Sequence, residues 1–127
     1  MTDMQTPRRR ARGLGAARSG STHFWIQRVT AIANVPLTVF LLALLVALTG
    51  LNHDAARHYV ANPLVSIILI LLIGSGAFHM RLGMQTIIED YIHGAATRMI
   101  MLVGNILFPT AIAIACIYAV LKVSLAS

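Results

Sequence analysis

The stretch LVSIILILLIGSGAFHMRLGMQTII, residues 64–88, decides the fold of this chain. It is longer than the roughly 20 apolar residues that a helix needs to cross about 30 Å of hydrocarbon. It also contains His79 and Arg81, and ionisable residues inside a membrane are costly and usually functional. The stretch therefore predicts a transmembrane helix that carries a site along its length.

Two further apolar runs, at 29–51 and 99–121, flank this stretch and are long enough to span a membrane. The chain is 57% hydrophobic and only 11% charged, whereas soluble domains average about 25% charged residues. A soluble all-α bundle of 127 residues could not bury three helices that are apolar all round. We therefore predict an all-α membrane protein with three transmembrane helices at 29–51, 64–88 and 99–121.

The N-terminal part differs in composition from the rest. Residues 1–20 combine arginines with glycines and predict a mobile basic arm, followed by a three-helix anchor at 21–127. The segment RRRAR at 8–12 is also compatible with nucleic-acid binding or with a transit peptide. Anchoring at anionic headgroups is the simpler account, so we expect no nucleic-acid partner.

Charge predicts the orientation of the chain in the membrane. Counting the N-terminal segment and the loop at Arg98 gives seven basic residues, whereas the other two segments carry only Arg57 and Lys122. The six basic residues before the main part of the first apolar run are Arg8, Arg9, Arg10, Arg12, Arg18 and Arg28. The positive-inside bias places the N-terminus in the cytoplasm and the C-terminus outside.

Helical geometry around His79 leaves two interpretations open. Gly76 and Gly83 fall within about 60° of His79 on the helix surface, and Ser75 lies one turn back. Such a face could accept a flat macrocycle whose iron is bound by the imidazole. The same small residues could instead allow close helix packing, with His79 as a neutral hydrogen-bonding residue. A haem would need a second ligand from another chain, because the other histidines lie near predicted helix ends or loops.

The polar end of the central stretch suggests a second site. Asp90 returns to within about 20° of the direction of His79, and Tyr91 follows the apolar segment directly. A phenolic O–H suits a quinone carbonyl, and a nearby carboxylate suits proton uptake. The plainer interpretation is an interfacial tyrosine and a solvated helix end.

These residues form a pattern that resembles a known family. The pattern H-x-x-x-G-x-x-x-x-x-x-D-Y, with His79, Gly83, Asp90 and Tyr91, is similar to the small D-type membrane anchor of succinate dehydrogenase, respiratory complex II. The segment WIQRVTAI at 25–32 resembles the family's entry to its first helix and includes Arg28. The resemblance covers most of residues 22–121.

The resemblance implies a place in a respiratory enzyme. It implies a heteromeric helical bundle with a C-type cytochrome b anchor, which supplies the second axial ligand of a shared b-type haem. His79 matches the D-side haem-iron ligand. Tyr91 matches a ubiquinone-binding tyrosine, Asp90 its neighbour, and Arg28 a residue near the quinone or a haem propionate.

The same resemblance implies that a flavoprotein subunit and an iron–sulfur subunit dock on the cytoplasmic face. Those two subunits would oxidise succinate, which is a reaction of the tricarboxylic acid cycle. The present polypeptide would be a non-catalytic anchor within the respiratory chain. We favour the bacterial inner membrane over the mitochondrial inner membrane. The alternatives are an anchor of a quinol:fumarate reductase, or a small oligomeric structural or transport protein without haem.

Overall fold

The structure is a computed structural model, and it describes Pro7 and residues 19–126. The predicted mobile arm at 1–20 therefore lies almost wholly outside the described residues. Residues 19–126 fold into four helices and contain no strand: α1 (Ser19–Leu48), α2 (His53–Ala61), α3 (Pro63–Tyr91) and α4 (Ala95–Leu125). Within the described part, α1, α3 and α4 are long and apolar enough to cross a membrane, which confirms the predicted all-α class with three transmembrane helices.

The three long helices extend beyond the apolar runs in the sequence. Helix α1 begins at Ser19, well before the apolar run at 29–51, and ends at Leu48. Helix α3 continues through the polar residues to Tyr91, and α4 begins at Ala95. Intrahelical hydrogen bonds satisfy the backbone on both sides of the membrane boundary, so a helix does not end where the apolar residues end. Trp25, Arg28 and Tyr91 consequently lie on helices.

The connection between the first two spans contains a short helix that the apolar runs did not reveal. Gly50 has a φ of +83°, a conformation that favours glycine, and it ends α1. Asn52 then caps α2, because its side chain accepts a hydrogen bond from the Ala55 N–H at 2.8 Å. Asn62 caps α3 by accepting from the Leu64 N–H at 3.0 Å, and Pro63 occupies the first turn, where its missing N–H costs nothing.

Helix α3 is the centre of the packing, because it contacts both α1 and α4, while α1 and α4 form no comparable contact. On the α4 side, Asn105 is buried and donates from Nδ2 to the Arg81 carbonyl at 2.8 Å. Helix α2 packs against α3 and α4. Ser66 of α3 donates to the Val60 carbonyl in the last turn of α2 at 2.8 Å, and thereby satisfies one of the carbonyls that a helix end leaves free.

The described part of the chain has a small core. Four hydrophobic residues are buried, namely Leu44, Ala61, Leu82 and Ile88. Most large apolar side chains of the three spans are exposed, as expected where lipid or partner helices replace water. The chain therefore offers most of its apolar surface to its surroundings.

Candidate functional site

Polar side chains concentrate where α1 packs against α3. We call this the polar seam, and it consists of His23, Gln27, Thr30 and Asn34 of α1 with Ser75, His79 and Gly83 of α3. The α1 members recur at spacings of four, three and four, which places them on one face of a helix. All seven residues are half-buried. The seam thus collects polar groups in a protein whose spans are otherwise largely apolar.

A hydrogen bond between His79 and Thr30 crosses the seam. Thr30 Oγ1 lies 3.1 Å from His79 Nδ1. The same oxygen lies 2.8 Å from the Ile26 carbonyl and 3.1 Å from the Gln27 carbonyl, one turn back on α1. His79 is therefore held by the first span and does not lie against bare lipid on all sides.

The two spans are antiparallel, and their contacts fix a register. A Cβ atom built on Gly83 would lie 3.3 Å from Gln27 Nε2. Gly83 comes four residues after His79, whereas its neighbour Gln27 comes three residues before Thr30. Continuing the register the other way puts Asn34 at the level of Ser75. Asn34 Oδ1 and Ser75 Oγ are both buried and lack a hydrogen-bond partner within the described residues. The seam is thus incompletely satisfied one turn from His79.

His79 retains a nitrogen that the described chain does not use. Its hydrogen bond within residues 19–126 is made by Nδ1. The buried side-chain nitrogens and oxygens without a partner there are His23 Nε2, Gln27 Oε1, Asn34 Oδ1 and Ser75 Oγ. His79 Nε2 is not among these buried atoms, and His79 itself is half-buried. An imidazole nitrogen that lies mid-span and is not committed to a neighbour in its own chain is available to a metal or to a partner chain.

The two glycines that flank His79 have different surroundings. Gly83 packs close to Gln27, where a Cβ would be tighter than an ordinary contact, as in the helix-packing interpretation. A Cβ on Gly76 would meet nothing within 4 Å, which leaves open space beside the imidazole. Both interpretations of the small residues therefore have a counterpart in the structure, at different positions.

Tyr91 and Asp90 lie at the end of α3, away from the seam. Tyr91 is the last residue of the helix and is 75% exposed, and Asp90 is also exposed. Tyr91 lies twelve residues beyond His79, which is about 18 Å along the helix axis and about 120° around it. Glu89 accepts a hydrogen bond from Gln85 at 2.8 Å. The phenol of Tyr91 and the carboxylate of Asp90 are therefore both exposed side chains at this end of α3.

Arg28 lies closer in depth to His79 than to Tyr91. It is two residues from Thr30, so it lies about 15 Å from Tyr91 along the helix axes. Its guanidinium sits 4.3 Å from the centre of the Phe24 ring, a cation–π contact, and Phe24 stacks edge-on against Trp25 at 6.2 Å. The arginine is exposed on α1. The structure does not bring the predicted quinone residues to one level.

The donor set fits half of a haem site. Within the described residues, no group of three His, Cys, Asp or Glu side chains could hold a bare metal ion. A b-type haem asks for less from one chain, because its porphyrin supplies four ligands and one histidine can supply the fifth. His79 is half-buried and offers Nε2, which the described chain leaves uncommitted, with open space at Gly76.

The sequence interpretation missed Thr30 as a partner of His79. The spacing of residues within α3 carries no information on this contact, because Thr30 lies on another helix. A signal was present, because His23, Gln27, Thr30 and Asn34 recur at helical spacing up to and into the apolar run at 29–51. Such a stripe in a membrane span indicates a helix contact, although the residue it meets depends on tertiary packing.

Fold and site together define a class of protein. It is a polytopic helical membrane subunit with a small core of its own, a mid-span histidine fixed from one side, and polar groups where the central span ends.

Comparisons with known proteins agree with this class. The family described as succinate dehydrogenase/fumarate reductase transmembrane subunit matches residues 2–117. The succinate dehydrogenase hydrophobic membrane anchor subunit of Paracoccus denitrificans is 31% identical over 120 residues, which are 94% of this chain and 92% of that protein. The subunit of the same name from Rickettsia bellii is 32% identical over 111 residues, 87% of this chain and 89% of that protein.

The succinate dehydrogenase membrane anchor subunit of Reclinomonas americana is 35% identical over 86 residues, 65% of this chain and 72% of that protein. No solved structure matches the chain at a significant level. The chain belongs to the succinate dehydrogenase/fumarate reductase transmembrane subunit family, as a hydrophobic membrane anchor of the succinate dehydrogenase type. This confirms the resemblance and removes the alternative of an unrelated structural or transport protein.

Proposed function

We propose that this anchor supplies one axial ligand to a b-type haem and part of a ubiquinone-reduction site, so that electrons from succinate oxidation reach ubiquinone. The observation that carries the proposal is the state of His79. Its Nδ1 is held by Thr30, and its Nε2 is not among the buried unpartnered atoms of the described chain. A histidine that only packed two helices together would not need a nitrogen kept open to a partner.

His79 would hold the haem iron from this side, and a histidine of a C-type cytochrome b anchor would hold it from the other. The haem supplies one-electron redox chemistry when bound. The open space at Gly76 supports an approach of a flat group next to the imidazole. Arg28 is the cation of α1 nearest in depth to His79, which favours a role beside a haem propionate over direct contact with a quinone at Tyr91.

Tyr91 and Asp90 would form this chain's part of the quinone site. The Tyr91 O–H can donate a hydrogen bond to a quinone carbonyl oxygen, at the end of a helix whose apolar length suits the isoprenoid tail. Reduction of a quinone to a quinol takes up two protons, and Asp90 is an exposed carboxylate beside the phenol. The exposure of both residues supports a ligand or partner at this end.

The complex would contain a flavoprotein subunit, an iron–sulfur subunit and the C-type anchor, all set in membrane lipid. The relatives from Paracoccus and Rickettsia are named as succinate dehydrogenase subunits, which supports electron flow from succinate to quinone rather than the fumarate reductase alternative. The basic N-terminal segment supports a cytoplasmic N-terminus in a bacterial inner membrane. The soluble subunits would then dock at the end that carries Tyr91.

The test is His79→Ala in the complete complex, purified from membranes with its partner subunits. We expect the absorption band of reduced b-type haem to disappear, because the alanine offers iron no ligand. His58→Ala is the matched control, since His58 is an exposed histidine on α2, and it should keep the band. An unchanged haem band in His79→Ala would exclude His79 as the ligand.

A further inference from the structure

We infer that Thr30 is the positioning residue that fixes the tautomer of His79, so that the imidazole presents an unprotonated Nε2 to iron. This inference rests on the proposed haem-ligand function of His79 and adds a residue from a different helix. Thr30 does not touch the iron itself. It acts on the ligand from the opposite side of the ring.

The Thr30 hydroxyl has a single proton to donate. Three acceptor or donor groups surround Oγ1: the Ile26 carbonyl at 2.8 Å, the Gln27 carbonyl at 3.1 Å and His79 Nδ1 at 3.1 Å. The two carbonyl oxygens can only accept, so a contact with either one requires the hydroxyl proton. The Ile26 contact is the shortest and has the length of a normal O–H···O bond.

With its proton on the Ile26 carbonyl, the hydroxyl presents a lone pair to His79. Nδ1 must then carry the hydrogen of the neutral imidazole and donate it to Thr30 Oγ1. A neutral imidazole with a proton on Nδ1 has a lone pair on Nε2, the nitrogen that the described chain leaves open. The hydrogen-bond pattern and the accessible nitrogen therefore specify the same tautomer, and it is the one that can bind iron.

This arrangement has two physical effects on the ligand. A partner at Nδ1–H fixes the orientation of the ring and raises its basicity, and losing such a partner typically weakens metal binding by about 10- to 100-fold. The hydroxyl is itself polarised, because it donates to a carbonyl while it accepts from the ring, and linked hydrogen bonds strengthen one another. The N-terminal part of α1 thus tunes a ligand that α3 carries.

The experiment compares variants of Thr30 in the complete complex. Thr30→Val keeps the shape of the side chain and removes the hydroxyl, whereas Thr30→Ser keeps the hydroxyl. Thr110→Val is the matched control, because Thr110 also donates to the carbonyl four residues back, at 2.6 Å, and it lies on α4. The readouts are haem retained per complex, the electron paramagnetic resonance spectrum of the oxidised haem, and its midpoint potential by redox titration.

We expect Thr30→Val to retain haem about 10-fold less tightly, with altered resonance positions and a more positive midpoint potential, since a less basic ligand favours ferrous iron. Thr30→Ser should restore the spectrum and the potential, and Thr110→Val should leave both unchanged. If valine prevents assembly, Thr30→Ala removes the same hydroxyl without bulk and carries the same expectations.

Two failures are distinguishable. If Thr30→Val and Thr30→Ala assemble with the parent spectrum, potential and haem retention while His79→Ala loses haem, the tautomer inference is wrong and the proposed function stands. If His79→Ala keeps its haem, the proposed function fails, whatever Thr30 does. Failure of Thr30→Ser to restore the parent potential would also overturn the inference, because that variant keeps the acceptor oxygen.

Discussion

At the scale of single residues, the chemistry of Tyr91 depends on one hydrogen atom. The residue is 75% exposed at the end of α3, so its phenol makes little contribution to the packing of the chain. Under the proposed function its O–H is a donor to a quinone carbonyl. The ring and the hydroxyl can therefore be tested separately.

We predict that Tyr91→Phe lowers quinone reduction by about 10-fold, the equivalent of a hydrogen bond worth roughly 1.4 kcal/mol, with haem content unchanged. The measurement is the steady-state rate of succinate-dependent quinone reduction, beside the rate with an artificial acceptor that takes electrons from the soluble subunits. Tyr59→Phe is the matched control, because Tyr59 is an exposed tyrosine on α2, away from this end. Parent quinone kinetics in Tyr91→Phe would remove Tyr91 from the site.

Residue types at given spacings were readable from the sequence, whereas their partners were not. The depth of His79 within an apolar run indicated a functional residue, because an imidazole in hydrocarbon needs a partner. Which group meets it depends on how two helices are rotated against each other, and an apolar run carries little information on rotation. Thr30 was therefore found only from the structure.

At the scale of secondary-structure elements, the contact between α1 and α3 sets the environment of His79. The Gln27 side chain of α1 reaches Gly83 of α3, one turn from the Thr30–His79 hydrogen bond. A large side chain at Gly83 would displace the Gln27 amide from this position. The packing at Gly83 thus adjoins the surroundings of the imidazole.

We predict that Gly83→Leu destabilises the complex by about 1–3 kcal/mol, the usual cost of overpacking, and lowers its haem content. Gly74→Leu is the matched variant on the same helix, because a Cβ there meets nothing within 4 Å in this chain. It should leave the α1–α3 contact intact. Thermal unfolding of the purified complex measures the difference, and equal destabilisation by both substitutions would contradict a limiting contact at Gly83.

The short helix α2 shows how far element prediction could go. Its signals were present in the Asn52 cap and in Asp54 of the first turn. Its nine residues carry no apolar run, so a search for membrane spans passes over it. The number of long helices was predictable, because an uninterrupted run of about 20 apolar residues has the length of a membrane-spanning helix. Their ends were not, because backbone hydrogen bonding continues beyond the hydrocarbon.

At the scale of the whole molecule, orientation decides which end can meet the soluble subunits. The basic residues before residue 29, together with Arg98, predict that the N-terminus and the loop at 92–94 lie on the cytoplasmic side. In that orientation helix α2 would lie outside. This assignment follows from charge alone and is open to direct measurement.

We predict that the cysteine of a His58→Cys variant reacts with a membrane-impermeant maleimide in intact spheroplasts. The cysteine of a His93→Cys variant should react only after permeabilisation. Both histidines are exposed, so access should depend on the side of the membrane. The native Cys116 is first replaced by serine, because it is free and exposed. The opposite labelling pattern would invert the chain and separate Tyr91 from the cytoplasmic subunits.

The small core has a consequence for the life of the chain in the cell. The described part buries only four hydrophobic residues, and the polar seam contains atoms without a hydrogen-bond partner. A copy in the bilayer without its companion subunits would lack the groups that could satisfy these atoms. We expect such a copy to be more susceptible to membrane proteases than an assembled one, because it lacks the contacts that partner helices would supply. Abundance would then follow that of the companion subunits, and turnover of unassembled copies would set the stoichiometry.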